Sequence, residues 1–368
     1  MIKIALCITE LNIGGAEQAL SQLAAALDKN RFAAEVYSLQ KKPQDANSSC
    51  VPFLESADIP LHFLNMEGAV SFLPALFRLK TLLKKQKPDV FLSFMFHANF
   101  LGRLAAAAAS VPHIISGIRV AEKKAKHHNT LDYLTQRFVN RYVCVSKSVA
   151  DFAVQTVKLP PEKILVIPNG VDTSKFRPAD FHKKKEQILF IGRLEEQKGI
   201  DWLFDTIAET HLLERMPETE LNIAGDGPMQ KTLEVRLQEK EFSAVKDRIH
   251  FLGWQKDLQP LFASAKLLVL PSRWEGMPNV LQQAMASGLP VAATETEGVA
   301  EVLGILSEKQ MTDFGNTEAF AKLIRDIMTQ DNLREELGRQ NRQRVCECFS
   351  MEETVRQYEE LFSSLVRL

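Results

Sequence analysis

Three side chains in the second half of the sequence carry the charges that a diphosphate-bearing ligand calls for. Arg193 and Lys198 lie in FIGRLEEQKG, directly after an apolar run. A guanidinium fork in the loop and an ammonium at the start of the next helix can reach one pocket and neutralise two phosphates. Glu275 lies in LPSRWEGMPNVLQQ. The Glu275-Gly276 turn presents a carboxylate beside bare backbone amides. A helix opening near Pro278 or Asn279 aims its N-terminal N–H groups, with Met277 and Val280 around them, at the same place. A carboxylate for sugar hydroxyls next to amides for a phosphate is what a sugar-diphosphate site requires. A helix-capping role for Glu275 and simple solvation of the two cations are the plainer alternatives.

Glycine turns recur where strands should end. LNIGGAE places Gly14 and Gly15 between a first strand and a first helix, where backbone N–H groups can approach an anion. IAGDGP places Gly225 and Gly227 after another strand, leaving room for a base or ribose, and Gly253 closes a third apolar run. None of these is G-x-G-x-x-G, so a dinucleotide fingerprint is absent and a nicotinamide-dependent dehydrogenase is disfavoured. No D-x-D pair occurs, which predicts chemistry independent of a divalent metal and of any cofactor, with phosphate charge met by Arg193, Lys198 and helix N-termini.

The elements that must position these residues alternate. Short β-rich runs (Lys3 to Thr9, Ala34 to Leu39, Val90 to Phe94, Tyr142 to Ser146) separate helical patterns, and a second series opens at Ile188 to Ile191. It continues through Glu220 to Ala224, Ile249 to Leu252, Leu267 to Leu270 and Pro290 to Ala293. This is the pattern of βαβ units on parallel sheets. A chain of 368 residues accommodates two such α/β domains. The expected organisation is an N-terminal Rossmann-like domain over residues 1–173 and a second over 174–350. A C-terminal helix over 351–368 is expected to pack back on the first.

The set LNIGGAE, VIPNGVD, FIGRLEEQKG, IAGDGP and EGMPNVLQQAMASGLPV, in this order, resembles family 4 of the retaining glycosyltransferases. The likeness spans almost the whole chain. It implies the GT-B architecture, two Rossmann-like doubly wound domains facing across a cleft. It also implies a nucleotide-diphosphate sugar, here a UDP-sugar, held mainly by the second domain, with the acceptor on the first. By position, Arg193 and Lys198 match the diphosphate-binding pair, and Glu275 the first Glu of an E-x7-E motif that contacts donor-sugar hydroxyls. The second Glu, which binds the ribose diol, is replaced by Gln283, which keeps one carbonyl acceptor but loses the charge, so two strong hydrogen bonds to the diol become at best one neutral bond and a donor contact. His97 in LSFMFHANFLG matches the histidine facing the donor sugar. Arg119 in ISGIRVAE and Asn169 in VIPNGVD fall where donor or acceptor would be oriented. The expected activity is metal-independent transfer with retention to a cell-envelope glycan or lipid-linked oligosaccharide. A catalytically weak nucleotide-sugar-binding partner of another transferase is the alternative that Gln283 opens.

Charge is uneven. Residues 1–175 hold 21 Lys and Arg against 14 Asp and Glu, a net +7, and the remainder holds 24 against 32, a net −8. A basic first half suits an anionic partner there, although chance variation also accounts for it. Phe72 to Lys87 reads as an amphipathic basic helix with Arg78, Lys80, Lys84, Lys85 and Lys87, fit for peripheral contact with an anionic membrane or for ordinary inward packing. A second basic cluster runs from Lys123 to His128. Neither has the interleaved aromatics of a nucleic-acid groove, so no nucleic-acid partner is expected. The N-terminus lacks a cleavage-site pattern, no run reaches the length of a membrane span, and the five scattered cysteines form no CxxC pair. The expected home is the cytoplasm, at the inner face of the membrane.

Overall fold

The computed structural model describes residues 1–46, 48–121, 126–180 and 183–367. The chain forms two compact units, Met1–Gly170 with Glu352–Leu368, and Val171–Met351.

The first unit is built on seven strands: β1 (Ile2–Ile8), β2 (Phe32–Ser38), β3 (Leu61–Phe63), β4 (Val90–Phe94), β5 (His113–Ile118), β6 (Arg141–Cys144) and β7 (Ile164–Val166). All pair in parallel, in the order β3-β2-β1-β4-β5-β6-β7. Among the described residues, helices alternate with them: α1 (Gly15–Ala26), α2 (Val51–Ser56), α3 (Phe72–Gln86), α4 (Phe96–Ala108), α5 (Lys126–Thr135) and α6 (Lys147–Gln155). Helices on both faces explain why β4, VFLSF, is buried at every residue.

The second unit repeats the plan with β8 (Gln187–Ile191), β9 (Glu220–Ala224), β10 (Ile249–Gly253), β11 (Leu267–Leu270), β12 (Val291–Thr294) and β13 (Met311–Thr312). The order is β10-β9-β8-β11-β12-β13, again parallel. Its helices are α7 (Ile200–Thr210), α8 (Gln230–Arg236), α9 (Gln259–Ser264), α10 (Asn279–Ala286), α11 (Glu297–Leu303), α12 (Thr317–Thr329) and α13 (Asp331–Cys348). In each unit the order reverses beside the first strand, between β1 and β4 and between β8 and β11. The carboxyl ends of strands at such a reversal are where α/β sheets bind ligands.

A last helix, α14 (Met351–Val366), lies against the first unit. Its Phe362 is fully buried, edge-on to Phe32 at 6.1 Å, and Glu359 accepts from Arg31 Nη1 and the Asp28 N–H, each at 2.9 Å. Burial of Tyr358, Leu361, Phe362 and Leu365 follows from their helical spacing and contributes about 2 kcal/mol per large side chain. The charged stretch after residue 173 is fastened where described: Arg342 Nη1 donates to the Phe176 carbonyl at 2.7 Å and Nη2 to that of Thr173 at 3.1 Å.

Candidate active site

In the second unit the loops after β8 and β11 meet. Ile191 runs into Gly192, Arg193 and a single helical turn, Glu196–Lys198, before α7. Gly199 joins the turn to α7 at φ 65°, and a Cβ there would lie 1.8 Å from the Pro271 carbonyl oxygen. Only glycine meets both the left-handed backbone and the close approach of the second loop. From that loop Glu275, 8% exposed, turns back so that its Oε1 accepts from Lys198 Nζ at 2.6 Å and Ser272 Oγ at 2.8 Å. The pair joins residues 77 apart in sequence and leaves the other carboxylate oxygen, Oε2, outside both bonds.

Around this pair the remaining predicted residues fall as follows. Arg193 is not drawn into it: its side chain is 65% exposed, and Nη1 stands 3.7 Å from Glu195. Gly225 lies at φ 134° with its N–H on the Gly253 carbonyl at 2.8 Å, and a Cβ would be 2.0 Å from the Gly192 carbonyl. The loops after β8, β9 and β10 therefore lie side by side, with Gly227 against the Leu194 backbone. Gly276, Met277 and Pro278 are buried, Pro278 is the extended N-cap of α10, and Asn279 and Val280 open its first turn. Gln283, the fifth residue of α10, is 8% exposed, and its side chain makes no hydrogen bond among the described residues.

In the first unit Gly14 is the extended N-cap of α1, and the Glu17 carboxylate folds back against it. Gly15 is the exposed first residue of that helix. His97 is exposed as the second residue of α4, edge-on to Phe96 at 5.4 Å and to His128 at 5.9 Å. The turn delivering it is strained, since Met95 between β4 and α4 holds φ 74°, a conformation that side-chain-bearing residues disfavour. His97 lines a cavity of about 570 Å³ together with Thr9, Leu39, Gln40, Met66, Gly68, Phe72, Leu73 and Phe100. Arg119, just past β5, lies over the Phe94 ring at 4.4 Å and hydrogen-bonds Asn169. Beside it Tyr358 of α14 is buried, and burial pushes its phenol up to about 12.

Helix α3 turns Ala75, Leu79 and Leu83 inward, yet Leu73 at 61% and Phe77 at 59% stay exposed, as does Val70 just before it. Arg78, Lys84, Lys85 and Lys87 share the exposed surface, while Lys80 is half-buried. Lys123 and Lys124 of the second basic cluster lie outside the described residues. Among the described residues no helix is long and apolar enough to cross a membrane, and no group of three or more His, Cys, Asp or Glu side chains could hold a metal ion.

Sequence reasoning missed Ser272, the Asp201–Arg273 ion pair, Tyr358 and the cavity walls. Ser272, three residues before Glu275, had a signal in its spacing. The others come together only through folding, from positions far apart in the chain.

The two units match two family models, one described as Glycosyltransferase Family 4 over residues 13–175 and one as Glycosyl transferases group 1 over residues 185–330. The chain is 27% identical over 312 residues to the UDP-Gal:alpha-D-GlcNAc-diphosphoundecaprenol alpha-1,3-galactosyltransferase of Escherichia coli, covering 79% of each chain. It is 27% identical over 356 residues, 95% of each, to a Campylobacter jejuni enzyme, GalNAc-alpha-(1->4)-GalNAc-alpha-(1->3)-diNAcBac-PP-undecaprenol alpha-1,4-N-acetyl-D-galactosaminyltransferase. In fold it resembles Anabaena HepE, solved in complex with UDP-glucose, with a TM-score of 0.84 over 99% of this chain and 100% of that one at 20% identity. With both units matched and the doubly wound pair of the GT-B fold in place, this chain is a glycosyltransferase and belongs to family 4, the group 1 glycosyltransferases.

Proposed function

We propose that the enzyme transfers a sugar from a UDP-sugar to the terminal sugar of a diphosphate-linked polyprenyl acceptor, with retention of anomeric configuration and without a divalent metal. The observation that carries this reading is the Lys198–Glu275 pair at the carboxyl ends of β8 and β11. In this reading Glu275 Oε2 accepts donor-sugar hydroxyls, and Lys198 with Arg193 faces the diphosphate. The amides of Gly276 and the first turn of α10, from Met277 to Val280, complete the phosphate side, and Gln283 meets the ribose. Gly253, where a Cβ would meet nothing within 4 Å, leaves space for the nucleoside, while Gly225 and Gly227 let the loops after β8 and β9 close together beside it. Gly14, Gly15, Arg119 and Asn169 orient the groups that His97 faces.

As the bond from the anomeric carbon to the β-phosphate oxygen breaks, its electron pair stays on the phosphate, where the cations and amides stabilise it. The acceptor oxygen bonds to the same face of that carbon and gives its proton to a departing phosphate oxygen. Charge neutralisation by Arg193 and Lys198 supports metal independence. The UDP assignment is supported by the UDP-Gal donor of the Escherichia coli relative and the UDP-glucose bound to HepE. The acceptor class is supported by the undecaprenol-linked substrates that both relatives' names carry. The cavity beside His97 is the acceptor's seat. The exposed Leu73 and Phe77, flanked by basic residues, rest the first unit on an anionic membrane at its cytoplasmic face, each basic residue contributing about 1 kcal/mol.

The test is a thermal-shift panel of UDP-, GDP- and ADP-sugars, followed by transfer to polyprenyl-diphosphate-GlcNAc in EDTA. At 100 times its dissociation constant the true donor adds about 2.7 kcal/mol of stability. No shift with any UDP-sugar overturns the donor assignment. A shift without transfer to any acceptor favours a nucleotide-sugar-binding partner of another transferase, the reading that Gln283 recommends.

A further inference from the structure

We infer that Arg273 and Asp201 form a positioning pair that holds Lys198 and Glu275 at bonding distance, an assignment that rests on the function proposed above. Lys198 and Glu275 sit on loops from neighbouring strands, and a lysine side chain has enough rotatable bonds to leave its partner unless the loops are fixed. Five hydrogen bonds fix them. The Arg273 N–H donates to the Gln197 carbonyl at 2.8 Å, and Gln197 Nε2 donates to the Trp274 carbonyl at 3.1 Å. Arg273 Nη1 donates to the Glu196 carbonyl at 2.6 Å. The guanidinium then forks onto Asp201, Nη1 to Oδ1 at 2.7 Å and Nη2 to Oδ2 at 2.8 Å. The Phe314 ring, 4.9 Å from the guanidinium, covers its other side.

The placement of these contacts is specific. Glu196, Gln197 and Asp201 flank Lys198, and Arg273 and Trp274 precede Glu275, so each of these residues lies within three positions of Lys198 or Glu275. Asp201 is also the second residue of α7, where a carboxylate is favoured by the helix N-terminus. Arg273 and Asp201 side chains are 22% and 29% exposed. A lone ion pair at that exposure adds little to stability. A planar bidentate fork that also grips the opposing backbone fixes geometry, and misplacing a reacting group by about 1 Å costs on the order of a hundredfold in rate.

The test measures kcat, donor KM and the ratio of UDP-sugar to UDP affinity for Arg273→Gln, Asp201→Asn, their double variant and Arg273→Lys, on protein shown folded by circular dichroism. The expected result is a loss of about tenfold to a hundredfold in kcat/KM for each single variant. The double variant should be no worse than the more affected single, because both remove one interaction. Arg273→Lys, which keeps the charge without the fork, falls between wild type and Arg273→Gln. The affinity ratio falls with the rate, since Glu275 would no longer be aimed at sugar hydroxyls. A merely structural pair would lower the melting temperature while leaving kcat, KM and that ratio within about twofold of wild type, and this result overturns the inference. Losses that multiply in the double variant overturn it equally. Either outcome leaves the proposed function standing, whereas a wild type that binds no UDP-sugar removes both.

Discussion

Replacing Gln283 by Glu should tighten binding of the nucleotide-sugar. Gln283 is 8% exposed on α10, and its amide is committed to no hydrogen bond among the described residues, so the substitution breaks nothing that the site already uses. An amide offers a ribose diol one carbonyl acceptor, whereas a carboxylate accepts from both hydroxyls. Hydrogen bonds to a charged group contribute about 1.5–3 kcal/mol against 0.5–1.5 for neutral ones, so the exchange gains about 1 kcal/mol at the first bond and a comparable amount at the second. Holding a carboxylate in so buried a position offsets part of this, leaving a net gain of about 1.4 kcal/mol, or roughly tenfold in dissociation constant. Titration calorimetry with UDP at pH 8 measures it, and a 2′,3′-dideoxy nucleotide serves as control. Burial raises the pKa of the new carboxyl, so the gain should shrink as pH falls and the group takes up a proton. An unchanged or weaker constant for UDP, or an equal gain with the dideoxy nucleotide, refutes the ribose assignment.

Lys198→Met removes the cation proposed to face the diphosphate and should lower kcat by about a hundredfold to a thousandfold, and a loss under tenfold in a labelled-donor assay contradicts that role. Leu73→Asp with Phe77→Asp changes only exposed side chains, so the melting temperature should hold while co-sedimentation with anionic vesicles drops; unchanged co-sedimentation sinks the membrane contact. Burial alone would raise the carboxyl of Asp201, but the Arg273 fork together with hydrogen bonds from the backbone N–H groups of Trp202 and Asp201 outweighs it and holds that group below its ordinary value. Its contribution to stability is therefore complete above the unfolded value of about 4 and lost as pH falls through the lower folded one. The urea midpoints of wild type and Asp201→Asn should differ at pH 6 and converge in acid, and a difference that widens in acid would contradict the sign.

The sequence made the site's parts legible more readily than their pairing. FIGRLEEQKG and LPSRWEGMPNV announce a strand, a turn and a helix start through glycine, proline and the change of hydrophobic period, and β8, β11 and α10 lie where those signals put them. That Lys198 would meet Glu275 rather than stand beside Arg193 depends on which strands become neighbours at the sheet reversal, which local pattern does not encode. The same holds for Asp201 and Arg273, 72 residues apart. Edge strands β3, with three residues, and β13, with two, are too short for any periodicity and are defined by their parallel partners alone. The basic helix α3 was visible in its charges. The burial of Leu79 and Leu83 against the exposure of Leu73 and Phe77 required the sheet on which it packs.

Metal-independent transfer with retention, dependent on Glu275, can be read from the proton NMR spectrum of a product formed in EDTA from an α-linked UDP-sugar and a polyprenyl-diphosphate-sugar acceptor, with Glu275→Gln run alongside. Wild type should yield a new α-linked residue, shown by the small coupling between its anomeric and neighbouring protons, while Glu275→Gln yields little or none. A β-linked product, a requirement for added metal, or equal product from Glu275→Gln would contradict it.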